Sequence, residues 1–246
     1  MERFSNRGLG LATAACALAL LAWDATGLDM PLAHLFGGPA GFPLQDHWLL
    51  TRVLHSGARN LAWIVVALLW VGVWHPVGSL RRIAFGRRLQ WAITTLAAVT
   101  AISLLKAAST TSCPWSLSDF GGVAHYRSHW ANLFGSDGGS GGCFPAGHAS
   151  TGFAFLGGYF AYRHTDARRA RAWLVGALVA GLVLGVAQQM RGAHFMSHTL
   201  WSGWVCWCVA WGVEAVAQRL RGRDPVATGR AAVAANAVHR VPADGR

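Results

Sequence analysis

Apolar residues fall into five long runs and one shorter one, separated by polar, glycine-rich or basic stretches. The runs cover roughly residues 9–28, 61–79, 89–107, 149–162, 173–190 and 199–218. A helix needs about 20 apolar residues to cross a bilayer, so five runs predict spanning helices directly. The fourth is short, and its helix is expected to begin inside the turn set by Pro145. Within it, Gly157-Gly158 lowers helix propensity and permits close helix packing. The pattern predicts an all-α bundle of six transmembrane helices over residues 1–220, followed by a flexible cytoplasmic tail over 221–246. The first run follows a charged segment, as a secretory signal would. Its length and the lack of a small-residue cleavage site predict a retained helix.

Composition supports the membrane reading. Of 246 residues, 53% are hydrophobic and only 13% charged, against about 25% charged in a soluble domain. The 13 Trp residues suit interface anchoring. The net charge of +11 lies in short basic blocks between apolar runs, which sets topology and does not make a nucleic-acid-binding stripe. One side collects Arg3 and Arg7, then Arg81, Arg82, Arg87 and Arg88, then Arg163, Arg168, Arg169 and Arg171, then Arg219 and the tail arginines. The other holds only Arg52, Arg59, Lys106, Arg127 and Arg191. The positive-inside rule therefore predicts both termini in the cytoplasm. In a bacterial inner membrane the second side faces the periplasm.

Three loops are expected on that side. In the first, apolar residues at 49, 50, 53 and 54 within Asp46–His55 predict a short amphipathic helix lying on the interface. The second, about 107–147, is rich in Gly, Ser and Trp and contains Cys113 and Cys143. On an oxidising side these two can form a disulfide tying the segment after Lys106 to the segment before His148. Cys16, Cys206 and Cys208 fall inside helices and read as packing residues. The third loop is the brief Arg191–His198 turn.

The chemistry concentrates in Phe144-Pro-Ala-Gly-His148-Ala-Ser150 and Arg191-Gly-Ala-His194-Phe-Met-Ser-His198, each against one end of an apolar run. Histidines are costly near a bilayer and mark functional sites there. Lys106 and Arg191 can hold a phosphate through charge and hydrogen bonds. The Pro-Ala-Gly-His turn opens a helix whose first N–H groups suit an anion. Two imidazoles can divide the work, one attacking phosphorus and the other protonating the leaving oxygen.

This arrangement resembles the type 2 phosphatidic acid phosphatase superfamily of membrane lipid phosphatases, as a divergent bacterial member. The family carries Lys-x6-Arg-Pro, Pro-Ser-Gly-His and Ser-Arg-x5-His-x3-Asp. Here they read Lys106-Ala-Ala-Ser-Thr-Thr-Ser-Cys113-Pro114, Pro145-Ala-Gly-His148 and Ala187-Gln188-x5-His194-x3-His198. Lys106, Pro114, Pro145, Gly147, His148 and His194 match. Cys113 stands for the family's Arg, Ala146 for its Ser, Ala187-Gln188 for its Ser-Arg and His198 for its Asp. The resemblance covers about residues 60–215. It implies that His194 attacks phosphorus and becomes a phosphohistidine, while His148 protonates the leaving group and then activates water. Lys106, Arg191, Gly147 and Gln188 would hold the phosphate, and no metal or cofactor is implied. Arg191, three residues beyond Gln188, shares its helix face and can restore the lost cation. His198 takes the orienting position beside His194, with Asp119 or Asp137 as other sources of the missing negative charge.

Other readings remain open on sequence. Lys106 and Arg191 can anchor in headgroups, and Asp24 can pair locally. His194-x3-His198 has metal-pair spacing, with His148 as a third ligand, but no Glu lies between the two histidines as the zinc-protease signature requires. The expected partner is a membrane lipid phosphate, with undecaprenyl diphosphate, phosphatidylglycerol phosphate, phosphatidic acid and lipid A as family candidates. Phe144, Phe153, Phe155 and Phe195 suit an acyl or prenyl chain, or ordinary packing. A lipid-to-lipid phosphotransferase and a catalytically weak lipid-binding member are the alternatives.

Overall fold

The computed structural model describes residues 6–222. The predicted tail at 221–246 therefore lies almost wholly outside the described residues, as does Arg3. Among the described residues there are eight α-helices: α1 (Asn6–Thr26), α2 (Asp29–His34), α3 (Ala58–Trp74), α4 (Phe85–Ala108), α5 (Gly147–Phe153), α6 (Gly157–Tyr162), α7 (Ala167–Met190) and α8 (Met196–Gly222). Among the described residues there is no β-strand, only isolated bridges. Five helical stretches are long and apolar enough to cross a membrane: Arg7–Thr26, Leu49–Arg82, Phe85–Ala108, Ala167–Met190 and Met196–Arg221.

Two stretches differ from the apolar-run reading. The expected interfacial helix is helical but not separate. Leu49–Gly57 is wound as a π-helix and runs straight into α3, with Gly57 and Ala58 both right-handed helical. The fourth run is a composite: α5, a 3₁₀ turn at Ala154–Leu156, and α6. It is too short for the length of the other five. It lies packed among α4, α7 and α8, and glycine makes that possible. A Cβ on Gly157 would come within 2.9 Å of Thr94, and one on Gly158 within 2.7 Å of Trp173. A Cβ on Gly152 would stand 2.3 Å from the Gly181 backbone nitrogen, so α5 and α7 meet backbone to backbone.

The distribution of side chains is the reverse of a water-soluble bundle. Leu61, Ile64, Leu68 and Val71 on α3 and Val175, Val179 and Val183 on α7 are exposed. Inside lie Gln90, Thr94, Thr95, Gln188, Gln189, Ser197, Thr199, Ser202 and Glu214. An apolar belt this extensive needs lipid around it. The interior polar groups are tied to one another: Glu214 accepts hydrogen bonds from Arg87 at 2.6 Å and from Gln90 at 2.7 Å, and lies 3.6 Å from His164 and Arg221. That cluster gathers the start of α4, the end of α6 and the end of α8. Lys106 lies at the far end of α4.

At that far end, the turn between α7 and α8 sets up the site. Helix α7 starts at the Glu214 end, capped by Asp166, whose carboxylate accepts from the Arg169 N–H. It stops at Gly192, whose φ of +74° only glycine adopts without strain. The Gly192 and Ala193 N–H groups close onto Gln189 and Gln188 carbonyls. The chain reverses there and delivers His194 into the bundle before α8 begins. Asp29 caps α8 by accepting from both the backbone N–H and the hydroxyl of Ser197.

Candidate active site

His194 is 5% exposed, and its Nδ1 lies 2.9 Å from the Cys143 carbonyl oxygen. A carbonyl only accepts, so Nδ1 carries the proton and the lone pair of the neutral ring sits on Nε2. Burial, reinforced by the positive charge of Lys106, pushes the His194 imidazole down to about 3. The ring is therefore neutral at ordinary pH and bears a free lone pair, the form a nucleophile needs.

The residue before Cys143 holds Lys106, whose ammonium donates to the Gly142 carbonyl. Consecutive carbonyls, 142 and 143, thus fix the lysine and the histidine. Cys143 is itself fixed, joined to Cys113 by a disulfide with Cα atoms 5.2 Å apart. Cys113, at the position where the resemblance puts an arginine, serves here as a covalent anchor.

His148 opens α5. The preceding Ala146 is clamped to α8: its N–H donates to the His198 carbonyl at 3.1 Å, and its carbonyl accepts from Ser202 Oγ at 3.0 Å. His148 Nε2 is buried with no hydrogen-bond partner, and both His148 and Lys106 act electrostatically on His194. The Lys106 stem runs alongside Gly147, where a Cβ would stand 3.5 Å from Lys106 Cδ.

Arg191 continues the α7 spiral by one residue and turns back. Its Nη1 donates to Gln188 Oε1 at 3.0 Å and its Nε to the Gln45 carbonyl at 2.8 Å. Gln188 is buried, with its Nε2 lacking a partner. Arginine and glutamine therefore act as one unit, and the Arg191 charge reaches His148.

His198 does not hydrogen-bond to His194; the two rings stand tilted with centroids 5.9 Å apart. It is buried against Phe144, Phe195 and His129, with Nδ1 unpartnered. Neither Asp119 nor Asp137 supplies the missing charge. Asp119 is exposed. Asp137 accepts from the Ser112 N–H and hydroxyl and from the Gly139 and Asn132 nitrogens, a knot that holds the second loop. Burial alone would raise that carboxyl, but these hydrogen bonds carry it below the usual carboxylate range. Asp24 does not pair locally: it ties the end of α1 to the second loop and to α8, accepting from the Trp130 and Trp201 indoles and facing His129 at 3.4 Å. Among the described residues, no three His, Cys, Asp or Glu side chains converge as a metal-ligand set.

A cavity of about 260 Å³ opens between α3, α4 and α5; Lys106, Gly147 and His148 line it, and His194, Arg191, Gln188 and His198 do not. Arg59, Lys106 and His148 line it together with Trp63, Val66, Val99, Ile102 and Phe155. Of the four phenylalanines singled out on sequence, only Phe155 lines it. Phe153 and Phe195 are packed in the core, and Phe144 stacks on His129. Sequence reasoning missed Arg59 and His55, whose ring lies face to face with His148 at a centroid distance of 3.6 Å. Their four-residue spacing at the outer end of a helical run was the signal available.

Residues 88–221, more than half of the chain, match the PAP2 superfamily. No curated protein and no solved structure matches the chain significantly.

Proposed function

Because the chain belongs to the PAP2 superfamily, whose members are phosphoesterases, we propose that it is a metal-independent lipid phosphatase working through a phosphohistidine. The observation that carries this reading is the state of His194: Nδ1 is engaged by the Cys143 carbonyl, and Nε2 is left as a neutral nucleophile near Lys106 and His148. The lipid part rests on the cavity, charged where Arg59, Lys106 and His148 meet and apolar along Trp63, Val99, Ile102 and Phe155. A phosphate head seated at the charged end leaves its hydrocarbon chain along the apolar wall.

In the proposed reaction the phosphate takes the Lys106 ammonium from the Gly142 carbonyl and receives hydrogen bonds from Arg191, Gln188 and the Gly147 N–H. The monoanionic phosphate first gives its proton to the unpartnered His148 Nε2 as it binds; His194 Nε2 then forms a bond to phosphorus as the bond to the leaving oxygen breaks, and that oxygen takes the proton from His148 Nε2. Water then attacks the phosphohistidine, giving up its proton to His148. Stabilising the charge on the transferring phosphoryl group is the main catalytic term. His198 shapes the ring cage around His194. The arginine distribution supports six spans with both termini cytoplasmic, α5–α6 as the short one, and the site at the periplasmic face of an inner membrane.

The test is phosphate release by purified, detergent-solubilised protein from a phosphatidic acid and a prenyl diphosphate, with EDTA present and His194→Ala as control. Release that resists EDTA and vanishes in the variant supports the reading. Release of phosphate onto a second lipid in place of water would mark a phosphotransferase, and no turnover on either lipid would sink it.

A further inference from the structure

His55 is not part of any recognisable motif, yet it makes the closest ring contact in the site. Its imidazole lies over that of His148 with centroids 3.6 Å apart and planes 18° from parallel. His148 Nε2 is buried with no hydrogen-bond partner. The His55 ring therefore fixes the plane of the His148 ring. The π-helix makes this possible. A π-bulge shifts the phase of the side chains that follow it and occurs most often at functional sites. Here nine π-wound residues, Leu49–Gly57, deliver His55 to α5 and pass directly into α3, where Arg59 reaches the cavity one turn on.

The geometry points to His55 as a positioning residue for the general acid, aiming His148 Nε2 at the leaving-group oxygen. This rests on the phosphatase reading given above. It parallels the fixing of His194, with a stacked ring in the place of the Cys143 carbonyl. His55 itself neither attacks phosphorus nor donates the proton. What it supplies is orientation, and orientation of an acid matters in proportion to how badly the leaving oxygen needs a proton.

That proportion gives the experiment. The detergent-solubilised full chain is assayed for kcat/KM on an alkyl phosphate, whose alkoxide needs protonation, and on nitrophenyl phosphate, whose phenolate leaves without much help. The ratio kcat/KM reports formation of the phosphoenzyme and excludes its hydrolysis. His55→Ala is expected to lower kcat/KM about 10-fold on the alkyl phosphate and less than about 2-fold on nitrophenyl phosphate. His55→Phe keeps a ring over His148 and is expected to recover most of the loss. An equal fall on both substrates would reduce His55 to a structural residue, and no fall on either would remove it from the site. If His55→Ala does not give a monodisperse protein, His55→Leu against His55→Phe decides the same question, since both fill the space and only one stacks. Wild-type protein inactive on both substrates would overturn the phosphatase reading and this assignment with it. An active wild type beside an indifferent His55→Ala overturns this assignment alone.

Discussion

His194 Nδ1 stands 2.9 Å from the Cys143 carbonyl oxygen. A backbone carbonyl thus holds the ring, where the motif that the sequence resembles has a carboxylate at the position of His198. A carbonyl fixes the tautomer as well as a carboxylate does, but it carries no full charge to stabilise an imidazolium. In the proposed reaction the ring gains positive charge as Nε2 bonds to phosphorus, and the carbonyl dipole is what faces that charge. The carbonyl cannot titrate, and its place is set by the bond from Cys143 to Cys113.

Reduction of that bond is therefore expected to lower kcat about 10-fold while leaving the protein folded, because both the Lys106 and the His194 acceptors lie at or next to Cys143. Loop closure over 30 residues contributes about 3–4 kcal/mol, so melting temperature should fall as well. Cys113→Ser, Cys143→Ser and the double variant should be equally impaired, since each removes the same link. Full activity of the double variant would contradict this.

His198 should prove much less important than its motif position suggests. It makes no hydrogen bond to His194 and works as a member of a ring cage. His198→Asn is expected to keep activity within about 10-fold of wild type. His194→Asn should lose about 1,000-fold or more, the scale of losing a covalent nucleophile. Equal losses in steady-state assays would return His198 to the catalytic machinery.

At the opposite end of the bundle, Glu214 is 1% exposed and holds Arg87 and Gln90. Removing one partner of a buried ion pair leaves the other uncompensated, at about 3–5 kcal/mol. Glu214→Ala should therefore lower thermal stability in detergent markedly while kcat per folded molecule stays near wild type. A stability unchanged within about 0.5 kcal/mol would show the pair to be solvated.

Acid should weaken the fold through His194. Its folded value of about 3 lies below the usual 6.5, so between those limits the unfolded chain binds the extra proton. Stability then rises with pH across that window and is lost as pH falls from about 6.5 towards 3, with a slope of up to about 1.4 kcal/mol per pH unit. Melting temperatures of wild type and His194→Gln between pH 5 and 7 check this, and the variant should show the shallower slope. Parallel slopes would mean that His194 is not neutral by burial.

Much of the bundle was legible because lipid imposes a simple rule: long apolar runs become helices. Gly157-Gly158 was likewise readable, and both glycines are indeed in contact with aromatic or branched side chains of neighbouring helices. The motif residues Lys106, His148 and His194 are brought to one end of the bundle. What sequence could not supply were acceptors belonging to the backbone. The Gly142 and Cys143 carbonyls carry no side-chain signal, whereas Asp119 and Asp137 are visible in the sequence as charges. The π-winding of Leu49–Gly57 was equally hidden, since its apolar spacing fits a helix of ordinary pitch, and with it the approach of His55 to His148.

The most direct measurement is to trap the covalent intermediate. The protein is mixed with a lipid carrying labelled phosphate and quenched within the first turnover, and label on the protein is tested for stability. Label that survives alkali, is lost in acid, is absent from His194→Ala and persists longer in His148→Ala is the expected result. Phosphate release from the lipid without any such protein-bound label, or label that remains in His194→Ala, would contradict attack by His194.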